Sequence, residues 1–212
     1  MNFSDIEDIY RSRITLLDIL DLRGYDTAPF RKFSPLEISK AMFTAESSKS
    51  HEGFSSLSFV AKKLDPEDSK VCMVQYSTIT RQKLMDYFND YPTSDLAEVI
   101  VMIMDPVIDI HHQLALSLYM AKNIYVSFFS VFHLVNNPLN HVLVPKHEIL
   151  GEEEELAVMK QYHIGTKSKF PLIRYHIDPI VRLIGAVPGN ILKITRPSQT
   201  AGITVYYRCV SP

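Results

Sequence analysis

The sequence predicts an α+β chain of two domains: an α/β domain over residues 1–138 and a smaller α+β domain over residues 139–212. Three observations predict it. Charge and proline shift together along the chain. Residues 1–140 hold 13 Lys and Arg against 18 Asp and Glu, a net of 13 − 18 = −5; residues 141–212 hold 9 against 6, a net of +3; and seven of the 12 prolines lie at or after Pro138. Between Val71 and Phe129, apolar runs alternate with helical spacing, the order of a sheet flanked by helices. Beyond Asn190, short alternating segments are joined by a Pro- and Gly-bearing loop. The change of character falls at Asn136-Asn137-Pro138-Leu139-Asn140, where Asn and Pro favour a turn over continued helix or strand.

In the first domain, Ser4 and Glu7 read as a capping box for a helix whose inner face is Ile6, Ile9, Tyr10, Arg13, Leu16, Leu17 and Leu20. Gly24 is its expected stop, because glycine tolerates the left-handed backbone after a helix. A second helix starts at Ser34 as cap, with Pro35 at the first helical position and Glu37 closing the box. Strands are predicted over 57–62 and 71–76, a helix over 80–88, and a strand over 98–104. Asp109 is expected to cap a helix carrying Ile110, Leu114, Leu118 and Ala121, and a further apolar strand covers 124–129. Strands apolar on both faces are expected where helices cover both sides of a parallel or mixed sheet.

In the second domain, residues 141–145 read as extended, since residues before proline avoid the helical region. Residues 152–162 should be helical, and the run Glu152 to Glu155 reads as a solvated start at the positive end of the helix dipole. Asp178-Pro179 starts a short helix that ends near Gly185. Residues 190–195 and 203–209 alternate as two strands, joined by the loop 196–202.

Composition limits the function classes. Hydrophobic residues make up 46% and charged residues 22% of the 212, and the net charge is −2, which suits a packed globular chain and argues against disorder and against a globally basic DNA binder. The two cysteines, Cys72 and Cys209, are too few for a disulfide framework or a cysteine-built zinc site. The acidic opening, MNFSDIEDIYR, lacks the layout of a signal peptide, and no run approaches the ~18 apolar residues of a membrane span. No cofactor or metal is expected. His111 and His112 are adjacent and would point about 100° apart on a helix, a poor metal pair. His141 and His147 lack a third ligand nearby. No glycine-rich phosphate loop or Ser nucleophile elbow is present. Asp65, Asp68 and Lys70 spell the acid-x-Lys pattern of a metal nuclease, in which carboxylates hold the cation that activates water, but the pattern is short enough to arise by chance in most proteins, and a solvated loop between strands explains it. Cys72 reads as core.

Four blocks then carry a resemblance. They are His141-Val142-Leu143-Val144-Pro145-Lys146-His147; Phe170-Pro171-Leu172-Ile173 with Asp178-Pro179-Ile180-Val181-Arg182-Leu183-Ile184-Gly185; Pro188-Gly189-Asn190-Ile191-Leu192-Lys193-Ile194; and Arg196-Pro197-Ser198-Gln199-Thr200-Ala201-Gly202 with Tyr207-Arg208. In order and spacing this region, about a third of the chain, resembles the C-terminal domain of the small RNA polymerase subunit shared by the eukaryotic nuclear polymerases, which has a shorter counterpart in the archaeal RNA polymerase. Arg11 and Asp21-Leu22-Arg23-Gly24-Tyr25 resemble the opening helix and turn of the eukaryotic form, which carries a first domain that the archaeal one lacks. Leu172, Gln199 and Ile203-Thr204-Val205 depart from the pattern, as does Asp105-Pro106-Val107-Ile108-Asp109-Ile110-His111-His112 where a jaw loop is expected.

The resemblance implies a non-catalytic subunit of DNA-directed RNA polymerase acting in transcription in the nucleus, or in the cytoplasm or a virion if a large DNA virus encodes it. It implies a three-layer, endonuclease-like α/β jaw domain without nuclease chemistry and an assembly domain that docks on the largest polymerase subunit, beside other core subunits, with no membrane. The expected docking residues are Pro145, Lys146 and His147, then Pro171, Ile173, Asp178, Pro179 and Gly185. The set continues with Gly189 and Lys193, then Arg196, Ser198, Thr200 and Gly202, and ends with Tyr207 and Arg208. Arg guanidinium suits a partner's carboxylate or carbonyl, although each single charge is equally consistent with solvation. The prolines and glycines act on the fold first, and His147 reads as a hydrogen-bonded structural histidine. Downstream double-stranded DNA is a weak partner within the complex, near Arg31, Lys32, Lys62, Lys63, His111 and His112. Two other readings stand beside this one: a metal-dependent nuclease, and a stand-alone adaptor bridging regulators to polymerase.

Overall fold

The computed structural model describes residues 3–46, 52–65, 70–77, 96–122, 124–175 and 177–212. The helix expected over 80–88 and the carboxylate of Asp68 lie outside them. The chain divides into two compact units, Met1–Asn136 and Asn137–Pro212, each built on a four-stranded mixed sheet, so the α+β class holds at that level.

In the first unit α1 (Phe3–Leu22) and α2 (Pro35–Glu46) precede the short α3 (Glu52–Ser55). Ser4 lies inside α1 rather than ahead of it, so it does not cap the helix, and Glu7 instead pairs with Arg11 at 2.7 Å. Gly24 ends α1 as expected. Its φ is +79°, its N–H donates to Asp21 O at 2.9 Å, and Tyr25 N–H reaches back to Leu20 O at 3.0 Å, the paired bonds of a Schellman ending. The capping box of α2 is complete: Glu37 N–H donates to Ser34 Oγ at 3.3 Å, and Ser34 N–H to Glu37 Oε2 at 2.7 Å. Those bonds hold the Glu37 carboxyl below its ordinary range, the backbone one most.

The sheet runs β1 (Phe59–Lys62), β2 (Val71–Tyr76), β3 (Leu96–Ile103) and β4 (Tyr125–Ser130) in that spatial order. β1 is antiparallel to β2, and β2, β3 and β4 are mutually parallel. Helix α4 (Asp109–Lys122) forms the crossover between β3 and β4. Its Leu114, Ala115 and Leu118 bury one sheet face with Met73, Val99, Val101, Val126 and Phe128. The alternate residues of the same strands, such as Val74, Tyr76, Ile100 and Met102, are buried on the other face, where Arg13 of α1 reaches the ring of Tyr76. Helices on both sides are the physical reason that β2 and β4 carry almost no polar alternation. The short α5 (Val131–Leu134) follows β4 and packs on α1.

Helix α4 begins with Asp109 as its first residue, not its cap. His111 caps the entry instead: its Nδ1 accepts from Ile108 N–H at 3.1 Å, while its ring packs on Phe128 with centroids 5.1 Å apart. Burial lowers the pKa of His111, opposed by nearby Asp105. A folded pKa below the unfolded ~6.5 means that the unfolded chain takes up the proton first as pH falls. The stability from this site is therefore present above about pH 6.5 and lost below it. Urea midpoints at pH 7.5 and 5.5 should show a drop that His111→Gln makes smaller; an unchanged difference would mean that the imidazole is equally free in both states.

The second unit has the sheet order β5 (Lys146–Ile149), β7 (Ile191–Ser198), β8 (Gly202–Ser211) and β6 (Leu172–Arg174). β5 and β8 are antiparallel to β7, and β6 runs parallel to β8. Two expectations are corrected here. Residues 141–145 form a turn, with Val144 N–H on His141 O at 2.9 Å, and the strand begins only at Lys146. The expected loop 196–202 is mostly strand: Arg196, Pro197 and Ser198 stay paired with Thr204, Ile203 and Gly202. Pro197 is tolerated because the β5 ladder ends at Thr195, so its missing N–H removes no bond on that edge.

One sheet face is closed by α6 (Glu152–Gln161), through Val158 with Leu150, Phe170, Ile191 and Cys209. Glu152, Glu153 and Glu154 are exposed as expected, but Glu155 is buried. Its carboxylate accepts from Ile191 N–H at 3.0 Å and from Lys167 Nζ, which also donates to Gly189 O at 3.1 Å. Glu155→Ala should cost about 2–3 kcal/mol, since it leaves a buried N–H without an acceptor. Glu155→Gln, which keeps an acceptor, should cost less. Equal, small effects in urea unfolding would show that water replaces the carboxylate. On the other face α7 (Pro179–Leu183) is capped by Asp178, whose Oδ1 accepts from Ile180 N–H at 2.8 Å and Val181 N–H at 3.2 Å.

A candidate docking cleft on the second sheet

The face of the second sheet opposite α6 is only partly covered. Paired residues of neighbouring strands share a face, so His147, Ile194 and Tyr206 line up across β5, β7 and β8, with Arg196 beside Thr204 and Leu192 beside Arg208. Over them lies a cleft of about 500 Å³. Leu143, Val144 and Pro145 wall it at the β5 side, and Ile173, Asp178 and Ile180 at the β6 side. Tyr206 is 46% exposed there. A second hollow of about 430 Å³ adjoins it at the hairpin end, between Arg196, Pro197, Ser198, Gln199, Thr200, Thr204 and Tyr206.

The sixteen residues expected at a docking surface therefore separate into three groups. Pro145, His147, Ile173, Asp178, Arg196 and Arg208 line the cleft, and Ser198 and Thr200 line the adjoining hollow. Lys146, Lys193 and Tyr207 point to the opposite face. There Lys146 and Lys193 stand 2.5 and 4.0 Å from Glu148, and Tyr207 meets the Tyr162 ring at 5.8 Å. The hydrogen bond from Lys146 holds the Glu148 carboxyl below its ordinary range. The remaining five set the backbone. Pro171 O accepts from Cys209 N–H at 2.9 Å, Pro179 occupies the first turn of α7, and Gly185, Gly189 and Gly202 have φ of +75°, +97° and +69°. His147 is held as a structural histidine, with Nδ1–H donating to Pro145 O at 2.7 Å. Tyr206, Ile194, Leu143, Val144 and Ile180 also line the cleft and were not among the expected residues. Strand alternation held the signal for the first, because Tyr206, not Tyr207, shares a face with the cleft residue Ile194.

Electrostatically the cleft pairs two exposed guanidinium groups with one engaged carboxylate. Asp178 is committed to its helix cap, and Arg208 Nη1 donates to Leu172 O at 3.1 Å. The surface thus offers net cationic donors beside an apolar floor, a combination suited to a polypeptide partner.

The expected DNA-proximal residues of the first unit do not all share one place: His111 and His112 stand by β4, at the opposite end of the sheet from Lys62 on β1. Arg31 is engaged by Asp18 at 2.8 Å and by Asp21, which raise its pKa, while Lys32 is exposed next to it. Lys62 is exposed on β1, one edge strand; Lys63 lies 4.8 Å from the Tyr25 ring and donates to Arg23 O at 3.1 Å. His111 packs against β4, the other edge strand, and His112 is half-buried beside it. Burial pushes the Cys72 thiol up to about 12, which fits a core residue. Among the described residues, no three His, Cys, Asp or Glu side chains are grouped closely enough to hold a metal ion, and no helix is long and apolar enough to cross a membrane.

The family profile RNA polymerase Rpb5, C-terminal domain, matches residues 136–210. The Pyrococcus horikoshii DNA-directed RNA polymerase subunit Rpo5 is 50% identical over 74 residues, 35% of this chain and 88% of its own. The Archaeoglobus fulgidus subunit Rpo5 is 52% identical over 71 residues, 34% of this chain and 91% of its own. A Dictyostelium discoideum protein, DNA-directed RNA polymerases I, II, and III subunit rpabc1, is 28% identical over 208 residues, 97% of this chain and 99% of its own. The class so defined is a non-catalytic subunit of DNA-directed RNA polymerase, a component of the transcription machinery. Within that class the chain belongs to the Rpb5 family.

Proposed function

We propose that residues 139–212 are an assembly domain that docks on the largest subunit of a nuclear RNA polymerase, and that residues 1–138 form an endonuclease-like, three-layer jaw domain beside the downstream duplex. The observation that carries the docking half is the reach of the archaeal relatives. Residues equivalent to the second unit alone span 88% and 91% of two of them, so what these proteins share with this chain resides there. The half-open cleft with Arg196, Arg208 and Tyr206 supports the same reading, as an apolar floor ringed by cationic donors. Service to more than one polymerase follows the name of the Dictyostelium relative.

Affinity-tagged full-length protein, added to extract of its source, should retrieve the largest polymerase subunit in equal amount. Arg196→Glu with Tyr206→Ala should weaken this at least about tenfold, for a buried aromatic anchor and a reversed charge. Lys62→Glu with Lys63→Glu should not weaken it. Retrieval lost on the second pair but kept on the first would place docking on the wrong unit. The jaw reading predicts a neighbour of DNA rather than an autonomous binder. The net of −5 over residues 1–140 opposes phosphate binding, so the free protein should show little affinity for a labelled duplex near 0.15 M salt. Tight, salt-sensitive binding would contradict it.

A further inference from the structure

β8 is 10 residues long, but β6 pairs with only its last three, Cys209, Val210 and Ser211. The ladder stops for a chemical reason: the residue before Leu172 is Pro171, which has no N–H to offer Tyr207. Along β8 the main-chain groups alternate in direction. Val210 exchanges bonds on the β7 side, with Asn190 O at 2.9 Å and Gly189 N–H at 2.9 Å, whereas Cys209 N–H and Ser211 O bond on the β6 side, to Pro171 O and Tyr175 N–H. By the same alternation Val205 and Tyr207 turn their N–H and C=O toward the β6 side, past the point where β6 has ended.

The open stretch reads Ile203-Thr204-Val205-Tyr206-Tyr207, five β-branched or aromatic residues without a charge or proline. Ile203 is 68% and Val205 38% exposed. Natural edge strands are normally blunted with lysine, proline or a bulge, because an uncharged open edge templates further pairing. This one is not blunted, and its surroundings are cationic. Arg208 leans to that edge through its bond to Leu172 O, and Arg196 stands behind Tyr206 in the same cleft.

We infer that the β8 edge is a strand-addition site, taking an extended acidic segment of the polymerase partner as a further strand alongside residues 203–207. The inference rests on the docking reading above and names its mode and chemistry. Main-chain bonds to Val205 and Tyr207 supply register. Alternate side chains of the added strand fall on two faces. Those on the cleft side meet Arg208 and Arg196 and are carboxylates; those on the other side meet Ile203 and Val205 and are apolar.

Hydrogen exchange of the full-length protein, free and within purified polymerase, tests this at single-residue resolution by mass spectrometry. The Val205 and Tyr207 amides should slow by at least about a hundredfold on assembly. Val205→Pro removes one outward N–H while sparing the β7 ladder, and should weaken retrieval of the largest subunit about tenfold, the worth of a buried hydrogen bond. If that variant melts early, Val205→Lys, which places a charge where an apolar side chain is expected, should do the same. Arg196→Glu should weaken retrieval and flatten its salt dependence. Protection elsewhere in 137–212 but not at these two amides overturns strand addition and leaves docking standing. No protection anywhere in 137–212 removes both. Slow amides in the free protein, together with a dimer mass, would assign the edge to a second copy and overturn the proposal.

Discussion

Arg13→Ala is expected to destabilise the first unit by about 3–5 kcal/mol, the range of a large buried side chain cut to a methyl. Arg13 sits on the apolar stripe of α1 and is 2% exposed. Its guanidinium carbon lies 4.7 Å from the Phe59 ring centroid, 4.9 Å from Phe33 and 5.8 Å from Tyr76, and Nη1 donates to Leu57 O at 2.8 Å. The planar cation is weakly hydrated and stacks on ring faces, so its desolvation is offset by three quadrupoles and one carbonyl. Arg13→Lys keeps the charge but loses the plane, and an ammonium is costlier to dehydrate, so it should fall near the alanine variant. Arg13→Met fills much of the volume without a buried charge and should recover a good part of the loss. Urea unfolding with an unchanged m-value checks the order Met above Lys and Ala. A loss below about 1 kcal/mol for Ala would mean that the site collapses or that the guanidinium reaches water.

That arginine shows what a pattern can and cannot convey. Its spacing with Ile9, Leu16 and Leu20 placed it on the inner face of the helix, but nothing local announced the rings that accept it, which come from residues 33, 59 and 76. β2 and the crossover from β3 through α4 to β4 were legible because burial on both faces leaves long apolar runs. The endings at Gly24 and Ser34 were legible because their hydrogen bonds are local. β5 and β6 were not. They are four and three residues long, half-exposed, and defined by partners more than 30 residues away. The end of α6, expected at 162, falls at Gln161 with Tyr162 as its cap, although the residue beyond, His163 with φ +53°, takes the left-handed position that glycine usually marks.

The cleft was legible in part. Blocks of sequence supplied Pro145, His147, Ile173, Asp178, Arg196 and Arg208, and the sheet brings them to one face. It also separates Lys146, Lys193 and Tyr207 from them, because a one-residue step along a strand reverses the side chain. Glu155 was read as one more solvated carboxylate. Its place one turn before Val158 on the inner face of α6 puts it against Ile191 instead.

Glu98→Ala should cost about as much as Arg13→Ala, on the order of 3–5 kcal/mol, because it removes the buried carboxylate that pairs with the shielded Arg23. Glu98 lies in β3 and pairs with Arg23 at the end of α1, with side chains 8% and 6% exposed. Tyr25 Oη donates to its second oxygen at 3.3 Å. The cation also lies at the negative end of the α1 dipole, which favours it further. Removing either partner takes an opposite charge from a side chain that stays shielded from water. Removing both, as Arg23→Met with Glu98→Leu, should cost far less than the two single losses added, since no buried charge remains. Glu98→Gln keeps an acceptor for Arg23 and should fall between. Because water is excluded, raising salt to 1 M should leave the coupling nearly unchanged, whereas the exposed Glu7–Arg11 pair should contribute little at any salt. Additive single and double losses would show that the two charges are solvated separately, and the junction between α1 and β3 would then be held by its apolar neighbours alone.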